Sequence, residues 1–355
     1  MLADKMPVVR VAAVQAASVG IDRKATTDKV CNLIQEAAKN GAKLVVFPEA
    51  FIPVYPYWIW LGSPTWWMPF YKELFLNSVE IPSETTKQLC ETAKRTRTYI
   101  AVGINERKGK TLYNTLLFIC PDGEIMGSHR KLEATFAEKM IWARGDGSTL
   151  YVFDTEIGFL GGLICSEHMN DLARYSLYAM NEYIHVAAWP GMSAVRHNPR
   201  SSVFNTLAES AAIYHAVAGG TFVINTFSLV GEDLIEKMGL QNRPDMIVPG
   251  GGRTAIYAPN ATMIGGPVED KEVVVYADLD PAAAIAMNLV YDPTGCYARP
   301  EVLSLRINRQ PLSVIEEADR IEIEDAIDEG PDLKKQNKLL QKPYLNKGDP
   351  ISGSK

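Results

Sequence analysis

Two short apolar runs, residues 8–14 and 43–47, bracket a segment in which Val30, Leu33, Ile34 and Ala37 recur at helical spacing. This alternation constrains the fold more than any other feature of the chain. Strands separated by a helix-length segment can pair in parallel through a crossover, which a tight turn cannot provide. Gly41 supplies a C-cap for a helix over 27–40. The rhythm repeats with a helix over 85–96 and a strand over 99–104. Strands over 111–120 and 124–129 then follow through short turns at 106–110 and 121–123, which is a hairpin pattern. Further on, strands over 159–164, 184–188 and 221–225 alternate with helices over 170–181 and 205–218. Strands over 253–257, 262–264 and 273–277 close the pattern as a meander. Parallel units mixed with hairpins, and helices to cover them, imply a layered α/β domain. No tandem repeat is visible and no linker interrupts the chain before about residue 310, so one domain is expected over 1–310. The remainder, 311–355, is expected to be a charged tail: 316–329 hold eight acidic residues and one arginine, and 331–355 is lysine-rich. Such a segment is either solvated and disordered or crosses onto a neighbouring subunit.

Hydrophobic residues make up 47% of the 355 positions and charged ones 22%, with a formal net charge of −6. That balance fits a soluble globular protein and disfavours nucleic acid or an anionic membrane as partner, since both select basic surfaces. No run approaches the roughly 18 apolar residues of a spanning helix. The first residues, MLADKMP, place an acid and a proline ahead of the apolar run, which argues against a secretory leader. The five cysteines, Cys31, Cys90, Cys120, Cys165 and Cys296, are odd in number and widely spaced. A disulfide framework or a structural zinc is therefore not expected, and a reducing cytoplasm is.

Three polar residues stand just past the ends of expected strands. Glu49 follows LVVF, Lys131 follows the strand EIMGSH, and Cys165 follows FLGGLI. Ligands of open α/β sheets bind at that edge, so three strands of one sheet could join these side chains across separations of 82 and 34 residues. A helix expected from near Asn170 would put Cys165 by its positive end and favour thiolate. Gly161 and Gly162 would let a neighbouring backbone or a substrate come close. Burial of Glu49 among the apolar residues of FPEAF would raise its pKa toward that of a general base. Lys131 would stabilise an anionic tetrahedral intermediate. Each residue also has a plain alternative: a buried cysteine acting as a small apolar side chain, a carboxylate capping backbone amides, and a surface charge beside Arg130.

The ordered set FPE, RKL and a strand-end cysteine followed by an acid resembles the nitrilase superfamily. The longer phrases VFPEAFIPVYPYW, HRKLEATFAEKMIWARGDG, HVAAWPGMS and GCYARPEVLSL are similar to its nitrilase branch, and the resemblance runs from about residue 8 to 312. It implies a four-layer α-β-β-α sandwich and a Glu–Lys–Cys triad at Glu49, Lys131 and Cys165, with Glu138 as a second carboxylate. It implies an organic nitrile as substrate, converted to the carboxylic acid and ammonia through a thioimidate and an acyl-enzyme, with neither cofactor nor metal. It also implies self-association into dimers through helices beside the nucleophile strand, and into spirals. Tyr55, Ser166 and Trp189 are the pocket residues expected from it.

The sequence departs from the nitrilase pattern at three places: Ser166 in place of tryptophan, Ala134 in place of proline, and Cys296 in place of histidine. None removes a triad member. Ser166 opens space beside the nucleophile, which bears on substrate range and on whether the tetrahedral intermediate loses ammonia or leaves as an amide. An amidase or carbamoylase and a cyanide hydratase of the same fold are the alternatives; a catalytically inactive binding or scaffold protein is the alternative of another class. The segment 54–71 holds four of the six tryptophans, which serve either packing or an aromatic pocket wall. Among the histidines His129, His168, His185, His197 and His215, only His168 is near Cys165 in sequence, three residues on, a poor arrangement for a base across a cleft. PGGGRT at 249–254 lacks the phosphate-loop lysine and is expected to be a plain loop.

Overall fold

The computed structural model describes residues 7–198 and 201–313; the expected charged tail, with its runs at 316–329 and 331–355, lies outside the described residues. Strand β1 (Val9–Ala17) alternates its side chains between two cores, Val9, Val11 and Ala13 on one face and Ala12, Val14 and Ala16 on the other. Helix α1 (Arg23–Lys39) starts earlier than its apolar spacing predicts, because Asp22 caps it by accepting the Ala25 N–H at 2.9 Å. It returns the chain to β2 (Leu44–Val46), parallel to β1. Helix α2 (Pro64–Asn77) was not evident from spacing: its aromatic residues leave no clean polar face, and Pro69 lies inside it. Helix α3 (Glu84–Thr96) precedes β3 (Tyr99–Lys108), which runs parallel to β2. Strands β4 (Thr111–Ile119) and β5 (Ile125–Arg130) then form the expected antiparallel hairpins.

The second half repeats the crossover pattern. Strand β6 (Leu160–Ile164), helix α4 (Asp171–Tyr178), β7 (Ile184–Trp189), α5 (Ser201–Gly219) and β8 (Phe222–Leu229) give three parallel strands. After the short helix α6 (Glu232–Lys237), β9 (Arg253–Tyr257) and β10 (Met263–Glu269) extend that sheet in antiparallel fashion. Strand β11 (Val273–Leu279) crosses back to pair with β1, and α7 (Pro281–Val290) follows. The two halves join where β1 meets β8, at Ala16 and Ala17 beside Ser228 and Leu229.

Four layers result. Val30, Ile34, Leu89 and Ala93 of α1 and α3 pack on one face of the first sheet. Leu116 and Phe118 of β4 share a core with Leu160 and Ile164 of β6 between the sheets. The spacing there is tight: a Cβ on Gly162 would lie 2.8 Å from Leu116 Cδ2. Ala173 and Leu177 of α4 cover Leu163 on the far side, and Ala208, Ala212 and Ala216 of α5 pack with the second sheet. One sequence expectation is corrected. Cys165 does not come from the sheet that carries Glu49 and Lys131; β6 belongs to the facing sheet, so the residues meet across the sandwich.

Candidate active site

Glu49 sits in the turn after β2, and the next residue, Ala50, has a left-handed backbone at φ +47°. Asn105 on β3 holds this turn. Its amide nitrogen donates to the carbonyls of Ala50, Ile52 and Val54 at 3.3, 3.3 and 3.0 Å, and its oxygen accepts the Trp142 indole N–H at 3.0 Å. Lys131 follows β5, Glu138 lies in the 3-10 turn Phe136–Met140, and Cys165 opens the 3-10 turn Cys165–Met169. Phe136 and Cys165 are also left-handed, at φ +48° and +52°. Such backbones cost a non-glycine residue roughly 1–3 kcal/mol and persist only where the surroundings fix them. Three of the site's loops therefore carry strain that their side-chain contacts must offset.

Those contacts converge on one ammonium. Lys131 Nζ donates to Glu49 Oε1 at 2.8 Å and to Glu138 Oε2 at 2.7 Å. Reactive atoms of Glu49, Glu138 and Cys165 all lie within 4.8 Å of one another, and all four residues are buried. Asn114 Nδ2 donates to Glu49 Oε1 at 2.6 Å, while Glu49 Oε2 has no hydrogen-bond partner among the described residues. Glu138 is held on its other side: Thr135 N–H donates to Oε2 at 2.8 Å, and Tyr55 OH donates to Oε1 at 2.7 Å. Trp60 Nε1 in turn donates to Tyr55 OH at 3.1 Å and stacks on Phe136, whose side chain is exposed.

Burial raises the Glu49 carboxyl to about 7, against the pull of Lys131 and with the help of Glu138. Burial alone would lower the Lys131 ammonium, but Glu138 and Glu49 raise it well above the usual lysine range. Burial and then Glu49 push the Cys165 thiol well up. The helix-dipole expectation is thereby corrected. Helix α4 begins only at Asp171, with the Asn170 side chain satisfying its first amides, and the thiol at rest keeps its proton.

Glu49, Lys131, Glu138 and Cys165 are therefore brought together as a cluster. Tyr55 joins it through its hydroxyl, and Ser166 Oγ hydrogen-bonds Thr135 Oγ1, linking the cysteine turn to the segment after Lys131. Trp189 stands apart from them on the helix-covered face of the second sheet, against Phe204 of α5 and stacked on His168 at 4.9 Å, with its indole N–H donating to Asn225 Oδ1 at 2.7 Å. Sequence reasoning passed over Asn105 and Asn114, which face each other on β3 and β4. The available signal was an asparagine inside each of two apolar strands. His168 does not act on the thiol as it stands: its Nδ1 is 2.7 Å from the Cys165 carbonyl oxygen.

Among the described residues, two groups of side chains have ligand atoms close enough to consider for a cation, Glu49–Glu138–Cys165 and Glu182–His185–His215. The first already surrounds the Lys131 ammonium. In the second, each histidine nitrogen lies 2.7 Å from a Glu182 oxygen. Donors bound to one zinc at about 2.0–2.1 Å in a tetrahedron stand over 3 Å apart, so these contacts have hydrogen-bond geometry instead.

A family model described as carbon-nitrogen hydrolase matches residues 10–288. A protein of Bacillus sp. (strain OxB-1) named nitrilase is 42% identical over 88% of this chain and 92% of its own length. A Rhodococcus rhodochrous protein named aliphatic nitrilase is 38% identical over 87% of this chain and 85% of its own. Among solved structures, a carbon-nitrogen hydrolase from Helicobacter pylori G27 superposes with a TM-score of 0.66 at 20% identity, covering 83% of this chain and 97% of that one, a likeness of fold.

Proposed function

This chain belongs to the carbon–nitrogen hydrolase family, and on that premise we propose that it is a nitrilase, converting an organic nitrile and two waters to the carboxylic acid and ammonia. The observation that carries the proposal is the Lys131 ammonium held between two buried carboxylates beside the Cys165 thiol. Glu49, with its free Oε2 and a pKa near neutrality, is the general base. It takes the thiol proton as sulfur attacks the nitrile carbon, and the nitrogen is protonated to give a thioimidate. Water adds to the thioimidate carbon. Lys131 stabilises the charge of the tetrahedral intermediate, and Glu138, locked by Tyr55 and Thr135, fixes Lys131. Ammonia leaves, and a second water cleaves the thioester to release the acid and restore the thiol.

Ser166 and the aromatic pair Trp60 and Phe136 border the segments that carry these groups and are assigned to substrate selection. Trp189 supports the cysteine turn from behind through His168. Exposed Met169, Leu172, Val203, Leu207 and Tyr214, on the cysteine turn, α4 and α5, form the apolar surface assigned to self-association. Sedimentation velocity of the full chain, with Leu172→Glu as control, tests that assignment; an unchanged monomer would end it. Among the described residues no helix is long and apolar enough to cross a membrane.

The activity is tested by incubating the protein with aliphatic nitriles, benzonitrile, phenylacetonitrile, the matching amides and cyanide, and measuring ammonia, acid and amide. Acid and ammonia from a nitrile, lost in Cys165→Ala, are expected. Turnover of amides alone would favour an amidase, turnover of cyanide alone a cyanide hydratase, and ammonia release that survives Cys165→Ala would refute the thiol mechanism.

A further inference from the structure

Four buried side chains behind the nucleophile take no part in the mechanism above. They form a single file. His168 Nδ1 contacts the Cys165 carbonyl oxygen at 2.7 Å, and its Nε2 contacts His185 Nε2 at 2.8 Å. His185 Nδ1 contacts Glu182 Oε1 at 2.7 Å, and Glu182 Oε2 contacts His215 Nε2 at 2.7 Å. His168, His185 and His215 have no solvent exposure and Glu182 almost none.

A carbonyl oxygen can only accept, so His168 must donate from Nδ1. Each of the four contacts needs one proton. Three neutral imidazoles and one carboxylic acid supply exactly that number, one per contact, with no net charge. An ionised Glu182 with three neutral histidines would leave one contact between two bare acceptors, a costly state in a buried place. Burial works in the same direction. It raises the Glu182 carboxyl, lowers His168 and His215 to about 3, and, with Arg174 and His129, lowers His185 far below the usual histidine range.

The carbonyl at the end of this file belongs to the peptide plane that joins Cys165 to Ser166. In a trans peptide the C=O and N–H point in opposite directions. A donor that fixes the carbonyl therefore aims the Ser166 N–H the other way, away from His168, where that N–H acts, more weakly than the charged groups around it, to favour the ionised Cys165 thiol. The backbone at Cys165 is left-handed and needs such a restraint. Gly161 leaves the room required: a Cβ there would lie 2.2 Å from Glu182 Oε1.

We propose that Glu182, His185 and His168 are positioning residues, a neutral chain with one proton per hydrogen bond, anchored by His215, that holds the Cys165–Ser166 peptide so its N–H faces the reacting sulfur. The proposal rests on Cys165 being the nucleophile, and the test keeps the two separable. His168→Phe keeps a ring against Trp189 but loses the donor. His168→Asn loses the ring but keeps an N–H where Nδ1 stood. Glu182→Gln copies the protonated carboxyl, donating to His185 and accepting from His215.

Two quantities are read for each full-length variant: kcat and KM on the nitrile the wild type turns over fastest, and the rate of iodoacetamide labelling at Cys165 by peptide mapping. Labelling does not depend on the substrate being a nitrile, so it reports even if no nitrile is hydrolysed. Glu182→Gln is expected within about threefold of wild type in both. His168→Phe is expected to lose at least tenfold in kcat and in labelling with KM changed less than threefold, and His168→Asn to recover most of that loss. A packing role predicts the reverse order, with Phe better than Asn. That order, or a tenfold loss in Glu182→Gln, would overturn the proposal; the Glu182→Gln outcome stands even if His168→Phe fails to fold.

Discussion

His129 Nε2 lies 3.0 Å from Glu167 Oε2, a buried ion pair between β5 and the turn that follows β6. The same carboxylate accepts the backbone N–H of Leu132 at 2.7 Å and of Ile164 at 2.8 Å. It thus ties the residue after Lys131 to the residue before Cys165, and so sets the distance between two sheets where the chemistry needs it.

The pair predicts a pH window for stability. Burial opposes both charges, yet His129 and the two amides hold Glu167 below its usual 4.5, and Glu167 holds His129 above its usual 6.5. A lowered carboxyl contributes stability above its unfolded pKa and loses it as pH falls through the folded one. A raised histidine contributes below its unfolded pKa and loses it as pH rises through the folded one. Both contributions are full between about pH 4.5 and 6.5. Glu167→Gln should cost on the order of 3 kcal/mol there, with a smaller penalty above pH 8. Urea unfolding at pH 5.5 and 8.5 checks this; equal penalties would contradict it.

Glu49 has the opposite sign for a carboxyl. Its folded pKa of about 7 lies above the ordinary 4.5, so stability is full below pH 4.5 and declines as pH rises through 7. Glu49→Gln, always neutral, should gain melting temperature relative to wild type between pH 5 and pH 8. As the base form is the ionised one, wild-type kcat/KM should fall tenfold per pH unit below about pH 7. Glu49→Gln should lose at least a thousandfold in activity. A flat acid limb down to pH 5 would remove Glu49 as the base.

Tyr55→Phe deletes one donor to Glu138 and leaves both Glu138 Oε1 and the Trp60 indole N–H without this partner. A loss of about 1–3 kcal/mol in stability is expected, with kcat reduced roughly tenfold as Lys131 loses its fixed neighbour. Steady-state kinetics and thermal melts read both. A variant with wild-type kcat would show that Glu138 is held well enough by Thr135 and Lys131.

Ser166 bonds to Thr135 where the nitrilase pattern has a tryptophan. If the missing aromatic wall lets the tetrahedral intermediate break at C–S before ammonia leaves, the product is amide rather than acid. Ser166→Trp is expected to lower the amide fraction of the product, measured by liquid chromatography under single-substrate conditions. An unchanged acid-to-amide ratio would refute the link.

The sequence by itself determined most of the elements, though not α2 or the start of α1. Apolar residues at spacings of two and of three to four set β1 and α1, and Glu49, Lys131 and Cys165 could be placed past strand ends because strand ends are local facts. It did not determine which sheet each strand joins, since β6 pairs with β7 and faces β4 through long-range packing. Nor could it assign protons. The Lys131 ammonium is shared by carboxylates 82 and 7 residues away, and the file from His168 to His215 is assembled from three elements. Local spacing is encoded by neighbours two to four residues apart, whereas a pKa depends on burial and on charges that only the folded chain brings within a few ångströms. That is why Cys165 could be singled out from the sequence as the candidate nucleophile, while its proton, its left-handed backbone and the histidines behind it were decided by the tertiary structure alone.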